Sequence, residues 1–129
     1  MTPEFLIDNN LSLQLVKGMR EFGESVRHVR EVYNGVGNTP DPIVLADAGR
    51  GGLTIISRDL RNRRVPDELE SIRRYKVGGF WLSGKDLTRC EIIQQVVRNW
   101  PRMKKLAAKT PRPFIFYVRP HGKIEQYSL

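Results

Sequence analysis

The chain has 129 residues, of which 40% are hydrophobic, so it is long enough to bury one core without disulfides or metal staples. Its 22 lysines and arginines against 14 acids give a net charge of +8, which favours polyanionic partners such as nucleic acid or an acidic protein. The single cysteine, Cys90, excludes an internal disulfide, and no long apolar run predicts a membrane span. We expect one cytoplasmic domain over residues 1–129, with Cys90 as a small core residue.

The hydrophobic pattern predicts alternating strands and helices. In chain order, strands are predicted over residues 5–8, 25–32, 53–59, 77–82, 113–118 and 123–127. Helices are predicted over residues 11–22, 41–49, 66–75 and 86–99, with Pro101 kinking the last helix or starting another. Residues 34–40 are interpreted as a loop, and residues 120–122 as the turn of a hairpin. This order is typical of an α/β fold with a mostly parallel sheet, helices on both faces and a C-terminal β-hairpin.

The predicted order of strands and helices makes three acids candidates for one site. Asp8 and Asp59 end predicted strands, and Asp41 begins the helix that leads into the strand of Asp59. In open parallel sheets, ligands bind at the carboxyl ends of the strands. We therefore expect Asp8, Asp41 and Asp59 to converge on that edge. Each has a simpler interpretation, as a helix cap or, for Asp59, as the partner of neighbouring arginines.

Clustered carboxylates suit a hard divalent cation, because they repel one another unless a cation lies among them. Mg²⁺ or Mn²⁺ held by the three acids can activate water and neutralise the charge of a phosphodiester under attack. Asn10 is predicted to orient a carboxylate or a metal-bound water, unless it is only a helix cap. Glu68 is an alternative fourth ligand, although its place at a helix start favours a role as a helix-dipole partner.

Arginines crowd the segment that follows the third predicted strand. Four of them lie within residues 58–64: Arg58, Arg61, Arg63 and Arg64. Because guanidinium groups hold phosphates bidentately, we expect these residues to bind phosphate groups. The alternative is a solvated basic face. His28, on the second predicted strand, is interpreted as a hydrogen-bonded strand histidine rather than a metal ligand.

Several segments, taken together, carry a resemblance to a known family. They are FLIDNNLSLQLVKGMREFG, VRHVREVY, TPDPIVLADA, TIISRDLRNRR, GGFWLSGKDL, VVRNWPRMKKLA and RPFIFYVRPHGKIE. In this order and spacing they resemble the PIN-like toxins of the VapC type over nearly the whole chain. The gap is 33 residues between Asp8 and Asp41 and 18 residues between Asp41 and Asp59.

The resemblance implies a PIN-like three-layer sandwich and a Mg²⁺- or Mn²⁺-dependent ribonuclease. It implies that Asp8, Asp41 and Asp59 are the catalytic metal ligands and that Asn10 supports them. It also implies a toxin of a type II toxin–antitoxin pair, with RNA as substrate and a cognate antitoxin protein as partner, and it leaves a homodimer open. The ordinary PIN nuclease has a fourth acid beyond the next strand, where this chain offers only Asp86, interpreted as a helix cap.

Two rival functions remain open at this point. A catalytically inactive PIN-like module would bind nucleic acid or an acidic antitoxin without needing a metal, so metal binding discriminates it from the nuclease. A phosphoacceptor domain also places acids at the carboxyl edge of a parallel sheet. That reaction requires paired acids after the first strand, where this chain has Asp8-Asn9-Asn10, and a late lysine, for which Lys85 is the candidate.

Overall fold

The structure is a computed structural model that describes residues 3–33, 41–58 and 64–129, with the main chain alone at 41, 42 and 64–68. Its strands are β1 Phe5–Ile7, β2 Val26–His28, β3 Thr54–Arg58, β4 Gly78–Leu82, β5 Phe114–Val118 and β6 Ile124–Tyr127. Its helices are α1 Leu13–Glu21, α2 Val29–Val32, α3 Asp41–Gly51, α4 Arg64–Tyr75 and α5 Arg89–Lys109. The predicted loop at 34–40 lies outside the described residues.

The strands form one sheet, and the order in which successive strands are added reverses at β1. The order is β2-β1-β3-β4-β5-β6, with parallel pairing throughout except for the antiparallel β5–β6 hairpin. Ile7 of β1 pairs with His28 on one side and with Ile56 on the other. The chain therefore leaves β1 towards β2 and later returns to β3 on the opposite side. Such a reversal opens a crevice at the carboxyl ends of the strands.

Two apolar cores lie on opposite faces of this sheet, because successive strand residues point to opposite faces. Phe5 and Ile7 of β1 contribute to the core that α1 and α5 cover. Leu6, between them, contributes to the core that α2, α3 and α4 cover. The predicted three-layer α/β sandwich with a mostly parallel sheet is therefore confirmed, together with its C-terminal hairpin.

The predicted strand over residues 25–32 is wrong in its second half. Only Val26–His28 is a strand, and the chain continues as the short helix α2. The reason is a capping box around His28. Its Nδ1 accepts from the Arg30 N–H at 3.1 Å, and the Glu31 carboxylate accepts from the His28 N–H at 3.0 Å. These bonds offer the backbone a local alternative to strand pairing.

Helix α5 starts later and runs further than predicted. Thr88 is its N-cap and forms a capping box with Glu91, so the helix begins at Arg89 and not at Asp86. Asp86 instead has a φ of 57° and lies before the helix. Pro101 neither ends the helix nor starts another, since α5 continues through it over 21 residues. None of the helices in the described ranges combines the length and apolar content that a membrane span requires.

The buried face of α5 also differs from its prediction. Cys90, expected in the core, is exposed, and Val97 is 55% exposed. The buried residues are instead Gln95, Val96, Asn99, Trp100 and Met103. The NH₂ groups of the two amides in this set donate internally, Gln95 Nε2 to the Ser83 carbonyl at 2.9 Å and Asn99 Nδ2 to the Gln95 carbonyl at 2.7 Å. A polar residue on a buried face breaks the apolar periodicity, which explains why the pattern predicted the wrong side.

Candidate active site

Asp8 lies directly after β1, at the point where the strand order reverses. Its main-chain N–H donates to the Ile56 carbonyl of β3 at 2.9 Å, which ties it to the neighbouring strand. Its Oδ1 accepts from the Asn9 N–H at 2.7 Å, and its Oδ2 accepts from the Ser57 hydroxyl at 2.8 Å. A carboxylate that receives one local donor and one donor from the adjacent strand is held in a fixed orientation.

Ser57 joins Asp8 to Asn10, a role that the sequence analysis did not predict. Its hydroxyl accepts from Asn10 Nδ2 at 3.2 Å while it donates to Asp8. The Asn10 Oδ1 accepts in turn from the Arg58 N–H at 3.4 Å. Ser57 is 2% exposed, so the bonds lie largely out of water, where they are stronger. Asn10 therefore links the loop after β1 to β3, while the cap of α1 is Ser12.

His28 fixes the same loop from the side of β2. Its Nε2 donates to the Leu11 carbonyl at 2.8 Å, and this direction follows because Nδ1 already accepts from Arg30. The side chain is fully buried at 0% exposure. Both ring nitrogens are thus occupied by main-chain groups. This arrangement agrees with a hydrogen-bonded histidine and leaves no nitrogen to a metal.

An ion pair behind His28 ties α2 to the end of α1. Both guanidinium NH₂ groups of Arg20 donate to the Glu31 carboxylate, at 2.7 and 2.6 Å. These bonds, added to that from the His28 N–H, lower the pKa of Glu31 to about 2. The pair therefore supports the capping box that orients His28.

The two other predicted metal ligands are described only in part. Asp41 is the first residue of α3, whose 11 residues span about 16 Å. The chain then runs back along β3, whose 5 residues span about 17 Å. Because the two lengths are nearly equal, the start of α3 lies near the edge where β3 ends. Asp59 follows Arg58 directly and lies outside the described residues. The ligand roles of Asp41 and Asp59 stay predictions.

The predicted RNA-binding arginines are likewise described only in part. Arg58 is the last residue of β3 and is half-buried. Arg61 and Arg63 lie outside the described residues. Arg64 begins α4, and its side chain is outside the described part. Of these four arginines, Arg58 is the one whose side chain lies within the described part of the chain.

Asp8 fits the predicted cation by its chemistry. Among the side chains that the structure describes, no three His, Cys, Asp or Glu residues lie together as a metal cluster. Asp8 is the predicted ligand whose side chain is described, and it offers carboxylate oxygens in a fixed orientation. Such oxygens are the ligands that Mg²⁺ and Mn²⁺ prefer.

A cleft of about 480 Å³ opens along the loop that follows Asp8, between the first turns of α1 and α5, and Asp8 itself does not line it. Its lining residues are Asn9, Asn10, Leu11, Ser12, Leu13, Gln14, Leu15, His28, Arg30, Arg58, Arg89, Ile92 and Ile93. The sequence analysis named Asn10 and Arg58 among these residues but missed Arg30 and Arg89. The net charge was the one available signal, and it does not say which arginines meet.

Comparison with family models matches residues 3–84 to a model described as a PIN-like domain. The matched range covers more than half of the chain and runs from β1 through β4. It includes the acids at positions 8, 41 and 59, and it ends before α5. Comparison with curated proteins found no match, and comparison with solved structures found none either.

Proposed function

The chain belongs to the PIN-like domain family, and from this we propose that it is a Mg²⁺- or Mn²⁺-dependent endoribonuclease. PIN-like domains are generally nucleases that use divalent metal ions. The observation that carries the proposal is Asp8, a carboxylate held by Ser57 where the strand order of a parallel sheet reverses. The matched residues also contain Asp41 and Asp59, which complete the proposed ligand set.

The residues of the chain have distinct roles in this proposal. Asp8, Asp41 and Asp59 would hold the cation, which when bound neutralises phosphodiester charge and favours ionisation of the attacking water. Ser57 and the Asn9 N–H keep Asp8 in one orientation. Asn10 bonds to both Ser57 and the Arg58 N–H, so the loop that carries Asp8 stays in register with the end of β3.

The arginines supply the binding of substrate. Arg58 lies at the end of β3 beside the cleft, and Arg61, Arg63 and Arg64 follow it in the sequence. In the proposal they hold the phosphates on either side of the scissile bond, because guanidinium groups bind phosphate oxygens bidentately. Such contacts set the register of the RNA and make binding depend on salt.

The biological role that we propose is that of a toxin in a type II toxin–antitoxin pair. Its support is the sequence resemblance to VapC-type toxins, together with the net charge of +8. A basic surface that binds RNA can also bind an acidic antitoxin, which would then compete with the substrate. Co-expression with the neighbouring reading frame tests this role, since the proposal predicts that growth arrest by the chain is relieved.

Cleavage of a mixed RNA pool tests the nuclease proposal. Purified protein is incubated with Mn²⁺ or with EDTA, alongside the Asp8→Asn and Asp59→Asn variants. The Asp47→Asn variant is the matched control, because Asp47 accepts from the Tyr33 hydroxyl at 2.7 Å and takes no part in the Asp8 network. We expect cleavage with Mn²⁺ from the native protein and the control, and from neither of the other variants.

The outcomes separate the proposal from its rival. Cleavage that survives EDTA contradicts metal dependence, and cleavage by Asp59→Asn removes Asp59 from the mechanism. A folded protein that binds RNA and cleaves none of it in any condition supports the inactive binding module instead. Circular dichroism of each variant shows that the fold is retained, so that a loss of cleavage is a loss of chemistry.

A further inference from the structure

Three arginines from separate elements line the cleft along the loop that follows Asp8. Arg30 comes from α2, Arg58 from the end of β3 and Arg89 from the first turn of α5. Within the described residues, no acid forms an ion pair with any of their guanidinium groups. Like charges brought together in a concavity repel one another and raise the local affinity for an anion.

Other arginines of the chain show the contrast. Arg20 pairs with Glu31, and Arg119 pairs with Glu125 at 3.3 Å. Arg112 donates to main-chain carbonyls at Leu53 and Gly52. These guanidinium groups are satisfied within the protein. The three arginines of the cleft differ from them, because they line one shared concavity and no described acid forms an ion pair with them.

The remaining walls of the cleft are apolar or carry amides. Leu13 of α1 and Ile92 and Ile93 of α5 line it and are half-buried, so they present apolar surface to the concavity. Asn9 and Gln14 add side-chain donors and acceptors. A cationic side, an apolar side and amides match the three parts of an unpaired nucleotide: its phosphate, its base face and its base edge.

We propose that this cleft is the subsite for an unpaired nucleotide of an RNA strand, held by Arg30, Arg58 and Arg89 through its phosphates. Its volume of about 480 Å³ lies within the roughly 300–1,000 Å³ of pockets that enclose small ligands. A single nucleotide enters such a space, whereas a base-paired helix does not. The inference rests on the proposed function and narrows it to single-stranded RNA, with Arg30 and Arg89 as further binding residues.

Binding measured without metal tests the subsite separately from cleavage. A labelled single-stranded RNA hexamer and the same sequence as a blunt duplex are titrated in EDTA by fluorescence anisotropy, at several salt concentrations. We expect the single strand to bind more tightly than the duplex. Arg30→Ala and Arg89→Ala should each weaken its binding about tenfold. Each should also reduce the slope of log affinity against log salt by about 0.7.

Arg98→Ala is the matched control on the same helix. Arg98 is exposed and lies nine residues after Arg89, about half a turn round α5, and it does not line the cleft. We expect Arg98→Ala to change the affinity for the single strand by less than about twofold, because salt largely screens the interaction of an exposed charge outside the cleft with the RNA. Equal effects of Arg89→Ala and Arg98→Ala would overturn the subsite, as would equal affinity for the duplex.

The same variants in the cleavage assay tell the two proposals apart. If single strands bind through the cleft but Mn²⁺ never produces cleavage, the nuclease proposal fails and the subsite stands. If cleavage requires Mn²⁺ and Asp8 while Arg30→Ala and Arg89→Ala keep the native KM, the subsite fails and the nuclease stands. A raised KM with unchanged kcat in both variants supports the two together.

Discussion

Replacing Ser57 by alanine tests the network that orients Asp8. The substitution removes a hydroxyl that donates to Asp8 Oδ2 at 2.8 Å and accepts from Asn10 Nδ2 at 3.2 Å. A hydrogen bond to a charged group contributes about 1.5–3 kcal/mol and a neutral one about 1 kcal/mol. Because Asp8 and Asn10 are half-buried and water replaces part of the loss, we expect the free energy of unfolding to fall by about 2 kcal/mol.

The effect on function should exceed the effect on stability. Residues that orient a metal ligand commonly change metal affinity or activity by about 10- to 100-fold when they are removed. We therefore expect the Mn²⁺ concentration for half-maximal RNA cleavage to rise by about that factor in Ser57→Ala. The assay is a Mn²⁺ titration of initial cleavage rates at saturating RNA, with stability measured by urea unfolding.

Ser83→Ala is the matched control for this prediction. Ser83 is 9% exposed, follows β4, and donates through its hydroxyl to the Val118 carbonyl at 3.3 Å. Its loss should lower stability by about 1 kcal/mol and leave the Mn²⁺ midpoint unchanged. A native midpoint in Ser57→Ala, or an equal shift in Ser83→Ala, would refute the reasoning that Ser57 acts through Asp8.

Three further predictions concern the fold. Glu31→Gln should cost about 1 kcal/mol at pH 7, a figure reduced because the pair is partly exposed. Because the pKa of Glu31 is lowered to about 2, the difference in unfolding free energy should shrink as the pH falls from about 5 towards 2, and a constant difference would contradict this. The exposed Cys90 thiol should react with a maleimide in the folded protein as fast as a peptide thiol does, whereas labelling that waits for unfolding would place it in the core. Gly79→Ala should lower the free energy of unfolding by about 3 kcal/mol, because its Cβ would overlap the Trp81 indole. Gly18→Ala in α1 should raise the free energy of unfolding by about 0.5–1 kcal/mol, because its Cβ meets no atom within 4 Å and alanine favours the helix. Equal effects of the two substitutions would contradict the packing.

The layered fold could be predicted because its signals are local. The short strands are apolar on both faces, as in β4 with all five residues buried, and such runs are typical of strands covered by helices on both sides. Their alternation with helices then predicts a parallel sheet and places Asp8 at its carboxyl edge. The part of the site that depends on the end of a strand therefore follows from the sequence.

The partners of Asp8 could not be predicted because they depend on register. Ser57 reaches Asp8 only because Ile7 pairs with Ile56, which brings together residues 49 positions apart. A slip of one residue would turn Ser57 to the other face of the sheet. The shared cleft of Arg30 and Arg89 could not be predicted for a similar reason. Helices α2 and α5 are distant in the chain, and no local sequence pattern indicates that they lie close together.

Calorimetric titration with Mn²⁺ tests most directly the claim that the edge at Asp8 is a divalent metal centre. We expect the native protein and Asp47→Asn to bind Mn²⁺ with equal affinity, and Asp8→Asn to bind it at least about tenfold more weakly. A folded native protein that binds no Mn²⁺, or an Asp8→Asn variant that binds it as tightly as the native protein, would contradict the claim.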